Sequence, residues 1–282
     1  MAIVNSYRFL ARAGIALLVL GAVVAGGLQI SNLHLPCSRT ARLVAAQPHR
    51  WKLRQVVVAR AVGSTGSAPL RVLVVGASVS HGVGASAPSH DYVSDLGRML
   101  EERTGRTVDL TVWSRPGARV SNGDRWTLPP GQQVVIVHLI TNDFIDATPL
   151  LAYQRNLNTL LGRLHATSPQ ASLLCLGAWE PTYAVNGAGV PVLAYDSIEK
   201  GACTRHGGHF LSPSPIYQHA AWRGPTGRLT AFGPGDDFHP NNRGHLHLAE
   251  AILAQLEAQH AVAPAARPHP STLTKNTSAR GQ

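Results

Sequence analysis

The sequence predicts an α/β domain built on a mostly parallel sheet. Apolar runs of strand length alternate with segments whose apolar residues recur at helical spacing, the order that βαβ units produce. The strand runs are followed by short loops rich in Gly, Ser, Asn, Asp and His, where parallel sheets collect function. At 282 residues and 44% hydrophobic, the chain can bury one large core or two small ones.

The elements follow in chain order. Arg8 and Arg12 precede an uncharged apolar run over 13–30, which reads as a signal peptide or a single membrane anchor. The run is longer than the roughly 7–15 residues of a signal core and reaches the roughly 17–25 of a span. Residues 1–36 are therefore expected to form one N-terminal apolar helix, an uncleaved anchor in preference to a cleaved signal. Residues 37–69 read as a basic linker ending in Gly-Ser-Thr-Gly-Ser-Ala-Pro. Strands are expected at 70–76, 107–113, 133–140 and 171–177, with a short fifth at 209–211. Helices are expected at 91–103, stopped by Gly105, at 150–164, ended near Pro169, and at 242–256. Residues 259–282 are rich in Pro, Ser and Thr and read as a disordered tail.

The formal net charge is +10, which would ordinarily suggest nucleic acid or another polyanion. Its placement argues otherwise. Residues 1–70 hold eight basic residues and no acid, and residues 258–282 hold three more and no acid. The body between them carries all 15 acids against 14 basic residues, a net of −1. No basic stripe marks the folded face, so no nucleic-acid partner is expected. The basic flanks beside an apolar segment suit anionic lipid headgroups instead. Cys37, Cys175 and Cys203 are odd in number and have no framework spacing. Cys175 lies in a strand run, where a buried free thiol is the default.

The strand-following loops hold the chemistry. Gly76-Ala77-Ser78 follows the first strand, Ser114-Arg115-Pro116-Gly117 the second, and Thr141-Asn142-Asp143 the third; Asp236 to Asn241 precedes the last helix. A serine, a glycine amide, an asparagine and an Asp/His pair thus converge on one rim, the set that serine acyl transfer requires. Ser78 needs a base to become a nucleophile. His239 is the candidate base, with Asp236 fixing its tautomer through Nδ1. The Ser78 amide, the Gly117 amide and the Asn142 side chain are candidate oxyanion donors.

These residues, in this order, resemble the SGNH (GDSL-type) serine hydrolase family, whose blocks match Gly76-Ala77-Ser78, Gly117, Ile140-Thr141-Asn142-Asp143 and Asp236-Asp237-Phe238-His239-Pro240-Asn241. Ala77 stands where the family has Asp, and Ile140 where it has the Gly preceding Asn. Neither is a nucleophile, base or oxyanion donor. The resemblance spans about residues 70–256, and the hydrolase domain is read as 70–258. It implies a flavodoxin-like three-layer α/β/α sandwich and ester hydrolysis through Ser78, His239 and Asp236. Substrates would be acylated carbohydrates, lipids or simple esters, with a short acyl group favoured. The anchor places the catalytic domain outside the cytoplasm, membrane-held or secreted.

The sequence also admits other readings. The same triad serves an acyltransferase, and the departures at Ala77 and Ile140 suit an inactive glycan-binding module. Gly82-Val83-Gly84-Ala85-Ser86-Ala87 fits a dinucleotide-type string, but the second strand lacks the acidic residue that fold wants. His81, His138, His245 and His247 do not share a face, so no metal and no cofactor are expected. Asp143 and Asp237 are expected to brace loops, Asp237 being the fallback orienter. Trp179, Tyr183, Tyr195, Tyr217, Trp222 and Phe232 could form a sugar-binding rim or pack a local subcore.

Overall fold

A computed structural model describes residues 52–57 and 68–265. Its main sheet has six strands: β1 (Lys52–Val57), β2 (Leu70–Gly76), β3 (Val108–Ser114), β4 (Val134–His138), β5 (Ser172–Leu176) and β6 (His209–Leu211). They lie in the order β1-β3-β2-β4-β5-β6. Strands β2 to β6 are all parallel, and without β1 their order is that of flavodoxin-like folds. Strand β1 adds an antiparallel edge to β3, with Lys52 opposite Ser114 and Val57 opposite Asp109.

All five expected strands are present, and β1 corrects the reading of 37–69 as linker throughout. Its sequence, Lys-Leu-Arg-Gln-Val-Val, is short and carries two charges, so it lacks the apolar run that marks a buried strand. It sits where such a strand belongs, at the sheet edge.

Helices cover both faces of the sheet. They are α1 (Ser78–His81), α2 (Tyr92–Thr104), α3 (Ile140–Ile145), α4 (Leu150–Thr167), α5 (Val192–Arg205), α6 (Ser214–Tyr217) and α7 (Asn242–Ala258). Successive strand side chains point to opposite faces, so β2 feeds two cores. Leu73 and Val75 pack with Leu157, Leu160 and Leu164 of α4 and with Tyr195 of α5. Val72 and Val74 pack with Leu96 and Leu100 of α2 and with Leu248 and Ile252 of α7. The result is the three-layer α/β/α sandwich.

The expected helices form with their signals in use. Asp91 caps α2, its Oδ1 accepting the Ser94 N–H at 2.7 Å, and Gly105 closes it at φ +66°. The sequence concealed α5 because its buried face contains Asp196 and Glu199 between Tyr195 and Ala202, which breaks the apolar stripe. Both acids are partnered. Asp196 accepts the Ala178 N–H at 3.0 Å, and Glu199 accepts the Tyr153 hydroxyl.

Two further readings are corrected. Cys175 is no free thiol: it forms a disulfide with Cys203, Cα to Cα 6.2 Å, joining β5 to α5. Residues 259–265 are also packed onto the domain. Val262 is buried, and the Ala265 N–H donates to the Arg103 carbonyl at 2.8 Å. The segment 1–36, with its expected anchor helix, lies outside the described residues. Among those described, no helix is long and apolar enough to cross a membrane.

Candidate active site

In an open parallel sheet the binding crevice lies beyond the strand ends where the winding direction reverses. Here that point falls between β2 and β4, neighbours in the sheet whose connections leave to opposite sides. Ser78 follows β2 and Asn142 follows β4.

Ser78 opens the single-turn helix α1 and is mostly buried. Close packing shapes its approach. A Cβ on Gly76 would lie 2.0 Å from Ser80 Oγ, and the Ala77 N–H donates to the His138 carbonyl at 3.1 Å. Gly82, at φ +89°, ends the turn, and the Val83 N–H donates back to the Ser78 carbonyl at 3.0 Å.

Asp236 and His239 meet as the sequence suggested. His239 Nδ1 lies 2.8 Å from Asp236 Oδ2 and 3.0 Å from Oδ1. The same Oδ1 accepts the backbone N–H of Phe238 at 2.9 Å and of His239 at 2.7 Å. Burial alone would raise the Asp236 pKa, but the His239 side chain and these hydrogen bonds bring it below the usual carboxylate value. An ionised Asp236 keeps the proton on Nδ1 and leaves Nε2 as the free base. Asp237 instead accepts the Thr226 N–H at 2.9 Å, so the fallback orienter faces away. Among the described residues Ser78 and His239 make no direct hydrogen bond.

The remaining blocks are tied together. Arg115-Pro116-Gly117-Ala118 forms a turn closed by Ala118 N–H to Arg115 carbonyl at 3.0 Å. Gly117 sits third at φ +77°, the conformation a type II turn demands of glycine. The Arg115 N–H donates to the Gly76 carbonyl at 3.3 Å, which draws this turn to the end of β2, beside Ser78. Asn142 Nδ2 donates one hydrogen to the Ala118 carbonyl at 2.9 Å. Asp143 Oδ2 accepts the Val120 N–H at 2.8 Å, and burial pushes its pKa up to about 6. Asp143 therefore braces the loop, as expected of it.

Comparison with known proteins agrees. Residues 74–246 match the GDSL-like lipase/acylhydrolase family. The chain belongs to that family. It is a carboxylic ester hydrolase of SGNH type. No curated protein matches the sequence, but solved structures share the fold. A family 2 carbohydrate esterase with a carbohydrate-binding domain from Corynascus thermopiles (Myceliophthora fergusii) is 17% identical over 70% of this chain and 68% of its own, TM-score 0.50. A two-domain esterase active on acetylated mannans is 18% identical over 72% of this chain and 53% of its own, TM-score 0.52. The lipase Lip_vut3 from a goat rumen metagenome is 17% identical over 66% of this chain and 96% of its own, TM-score 0.50.

Around its four blocks the hydrolase carries supports that the sequence did not mark. Trp179, fully buried after β5, donates its backbone N–H to Thr141 Oγ1 at 3.0 Å and its indole N–H to the Phe238 carbonyl at 2.8 Å. His245 accepts the Tyr92 N–H on Nδ1 at 3.2 Å and donates Nε2–H to the Val83 carbonyl at 3.1 Å. Burial lowers the pKa of His245, and that of His138, to about 4, so both are neutral, and His245 is the one that bridges two segments by hydrogen bonds. Asn241 caps α7 through Oδ1 and donates Nδ2–H to the carbonyls of Ala221 and Arg223 at 3.0 and 3.1 Å. Among the described residues no group of three or more His, Cys, Asp or Glu is placed to hold a metal ion.

The aromatic residues between β5 and the Asp/His loop divide. Trp179, Tyr195 and Tyr217 are buried, whereas Tyr183 and Phe232 are exposed. Trp222 stacks on His219 and lies tilted against His247, with ring centroids 4.0 Å apart in each pair. Most of the set is subcore, and Phe232 stays on the rim.

Proposed function

We propose that the hydrolase removes a short acyl group from a carbohydrate, lipid or simple ester through Ser78, His239 and Asp236. The carrying observation is the buried Asp236–His239 contact at 2.8 Å, set beside the crevice that Ser78 borders. Substrate binding has to close the hydrogen bond from Ser78 to His239, a contact that tightens only in the complex in many enzymes.

The steps follow from that pairing. His239 Nε2 takes the Ser78 proton as Oγ bonds to the ester carbonyl carbon. The N–H groups of Ser78 and Gly117 and the second Nδ2–H of Asn142 stabilise the oxyanion, each worth about 10²–10³ in rate. The carbon–oxygen bond to the alcohol then breaks, and the proton passes from Nε2 to the departing oxygen. Water repeats the sequence, releasing the acid and restoring Ser78. Structures of two carbohydrate esterases with the same fold support the carbohydrate option.

The same reading places the domain outside the cytoplasm, carried by the N-terminal segment. Arg8, Arg12 and the apolar run 13–30 support it, as does the Cys175–Cys203 disulfide, since such bonds persist in oxidising compartments. The functional test is direct. Wild-type protein is expected to turn over p-nitrophenyl acetate and to be labelled by a fluorophosphonate at Ser78. A Ser78→Ala variant that matches wild-type turnover would sink the proposal.

A further inference from the structure

Beyond the four blocks, one surface element reaches the site from outside. Strands β7 (Leu229–Thr230) and β8 (Gly233–Pro234) form a two-stranded ribbon with Ala231 and Phe232 at its tip. The ribbon folds back on the loop after the nucleophile, where the Ala231 N–H donates to the Ala85 carbonyl at 2.9 Å. The Phe232 ring lies 4.9 Å from the His81 ring, tilted by 52°. His81 is three residues beyond Ser78 on α1, a spacing that puts both on one helix face. Phe232 Cε2 stands 3.2 Å from where a Cβ on Gly82 would be. The ring is nevertheless 41% exposed.

The loop between ribbon and nucleophile also supports the base. A Cβ on Gly84 would lie 2.2 Å from the Pro240 carbonyl oxygen and 3.2 Å from His239 Cβ. One short loop is thus packed by Phe232 on one part and by His239 on another. In ester cleavage the base returns its proton to the departing alcohol oxygen, so the alcohol occupies the His239 side of the scissile bond. Phe232 packs on the same loop as His239, through Gly82 where His239 packs on Gly84, and its exposed face offers the C–H surface of a ring an apolar partner.

We propose that Phe232, presented by the β7–β8 ribbon, determines specificity by receiving the sugar ring of the departing alcohol. The inference rests on the hydrolase mechanism above and adds the residue that reads the alcohol. The fluorophosphonate reaction expels fluoride rather than an alcohol, so labelling of Ser78 reports the triad without engaging this surface.

The test uses the full chain and two acetates, an O-acetylated methyl pyranoside and ethyl acetate, which share the acyl group and differ in the alcohol. Phe232→Leu keeps an apolar side chain on His81 and removes the flat face; Phe232→Trp keeps and widens it. The ratio of kcat/KM for the pyranoside over ethyl acetate is expected to fall about tenfold in Phe232→Leu, the size of a lost aromatic contact. It is expected to hold in Phe232→Trp. An unchanged ratio in Phe232→Leu, or an equal loss in both variants, overturns the assignment. Absence of Ser78 labelling in the wild type would instead remove the mechanism, and the inference with it.

Discussion

The indole N–H of Trp179 donates to the carbonyl oxygen of Phe238 at 2.8 Å, so a residue just beyond β5 holds the chain one position before His239. The Trp179 N–H also reaches Thr141 Oγ1 at 3.0 Å, one position before Asn142. A single buried residue, through its backbone N–H and its indole, therefore ties the Asn142 loop to the His239 loop. Replacing it with Phe keeps most of the ring and leaves the buried Phe238 carbonyl without this donor. Trp179→Phe is expected to lower stability by about 1–3 kcal/mol, read from urea unfolding. It should also lower kcat on p-nitrophenyl acetate about tenfold, since a 1 Å misplacement can cost about 100-fold.

Asp236→Asn separates orientation from loop structure. The Asn carbonyl can still accept the N–H groups of Phe238 and His239, so the loop persists. Its amide group then faces Nδ1 and requires a lone pair there, which moves the histidine proton to Nε2. That tautomer cannot accept the Ser78 proton. The variant is expected to fold normally and to lose about 10⁴ in kcat, the loss this change brings to a serine protease triad. Retention of more than a tenth of wild-type kcat would show that Asp236 does not orient the base.

Much of this site was legible because its residues lie in short blocks directly after strands. The Ser78, Asn142 and Asp236/His239 blocks each carry their chemistry within a few positions, and the sheet brings the strand ends together. The supports were harder to read because they act across long separations. Trp179 reaches Phe238 across 59 residues, and His245 reaches Val83 across 162. Strand β1 was hidden by the charges in its sequence, and helix α5 by the acids on its buried face. The Cys175–Cys203 pair joins two elements 28 residues apart, one of which the apolar pattern did not show. The Gly82/Gly84 string, which mimics a nucleotide loop, has another use: Gly84 lets the backbone pass against Pro240.

The buried acid Glu199 predicts how stability varies with pH. Burial, with the nearby Asp196 and Asp143 adding, raises its pKa from 4.5 to about 8, although the Tyr153 hydrogen bond opposes the shift. The folded state therefore holds a proton that the unfolded state has released, and stability falls as pH rises between those values. Below about pH 6.5, His138 and His245 act in the opposite sense, because burial lowers their pKa values to about 4. The clean window is pH 6.5 to 8, where one proton changes stability by up to about 1.4 kcal/mol per pH unit. Urea unfolding is expected to show a declining midpoint across this window in the wild type and a flatter one in Glu199→Gln, which keeps an acceptor for Tyr153.

Two glycines with the same backbone demand distinguish conformational strain from a steric block at the site. Gly84 has φ +93° and Gly207 has φ +74°, a region where a Cβ costs about 1–2 kcal/mol. A Cβ at Gly207 meets no atom within 4 Å, whereas one at Gly84 would stand 2.2 Å from the Pro240 carbonyl oxygen. Backbone cannot yield there without moving the residue next to His239. Gly207→Ala is expected to lose only the conformational part and to keep wild-type kcat. Gly84→Ala should lose about 1–3 kcal/mol more, the usual penalty of forced overpacking. It should also lower kcat and the rate of Ser78 labelling together, because the displaced Pro240 directly follows His239. Equal stability losses in the two variants, with esterase activity intact in both, would show that the contact with Pro240 does not position His239.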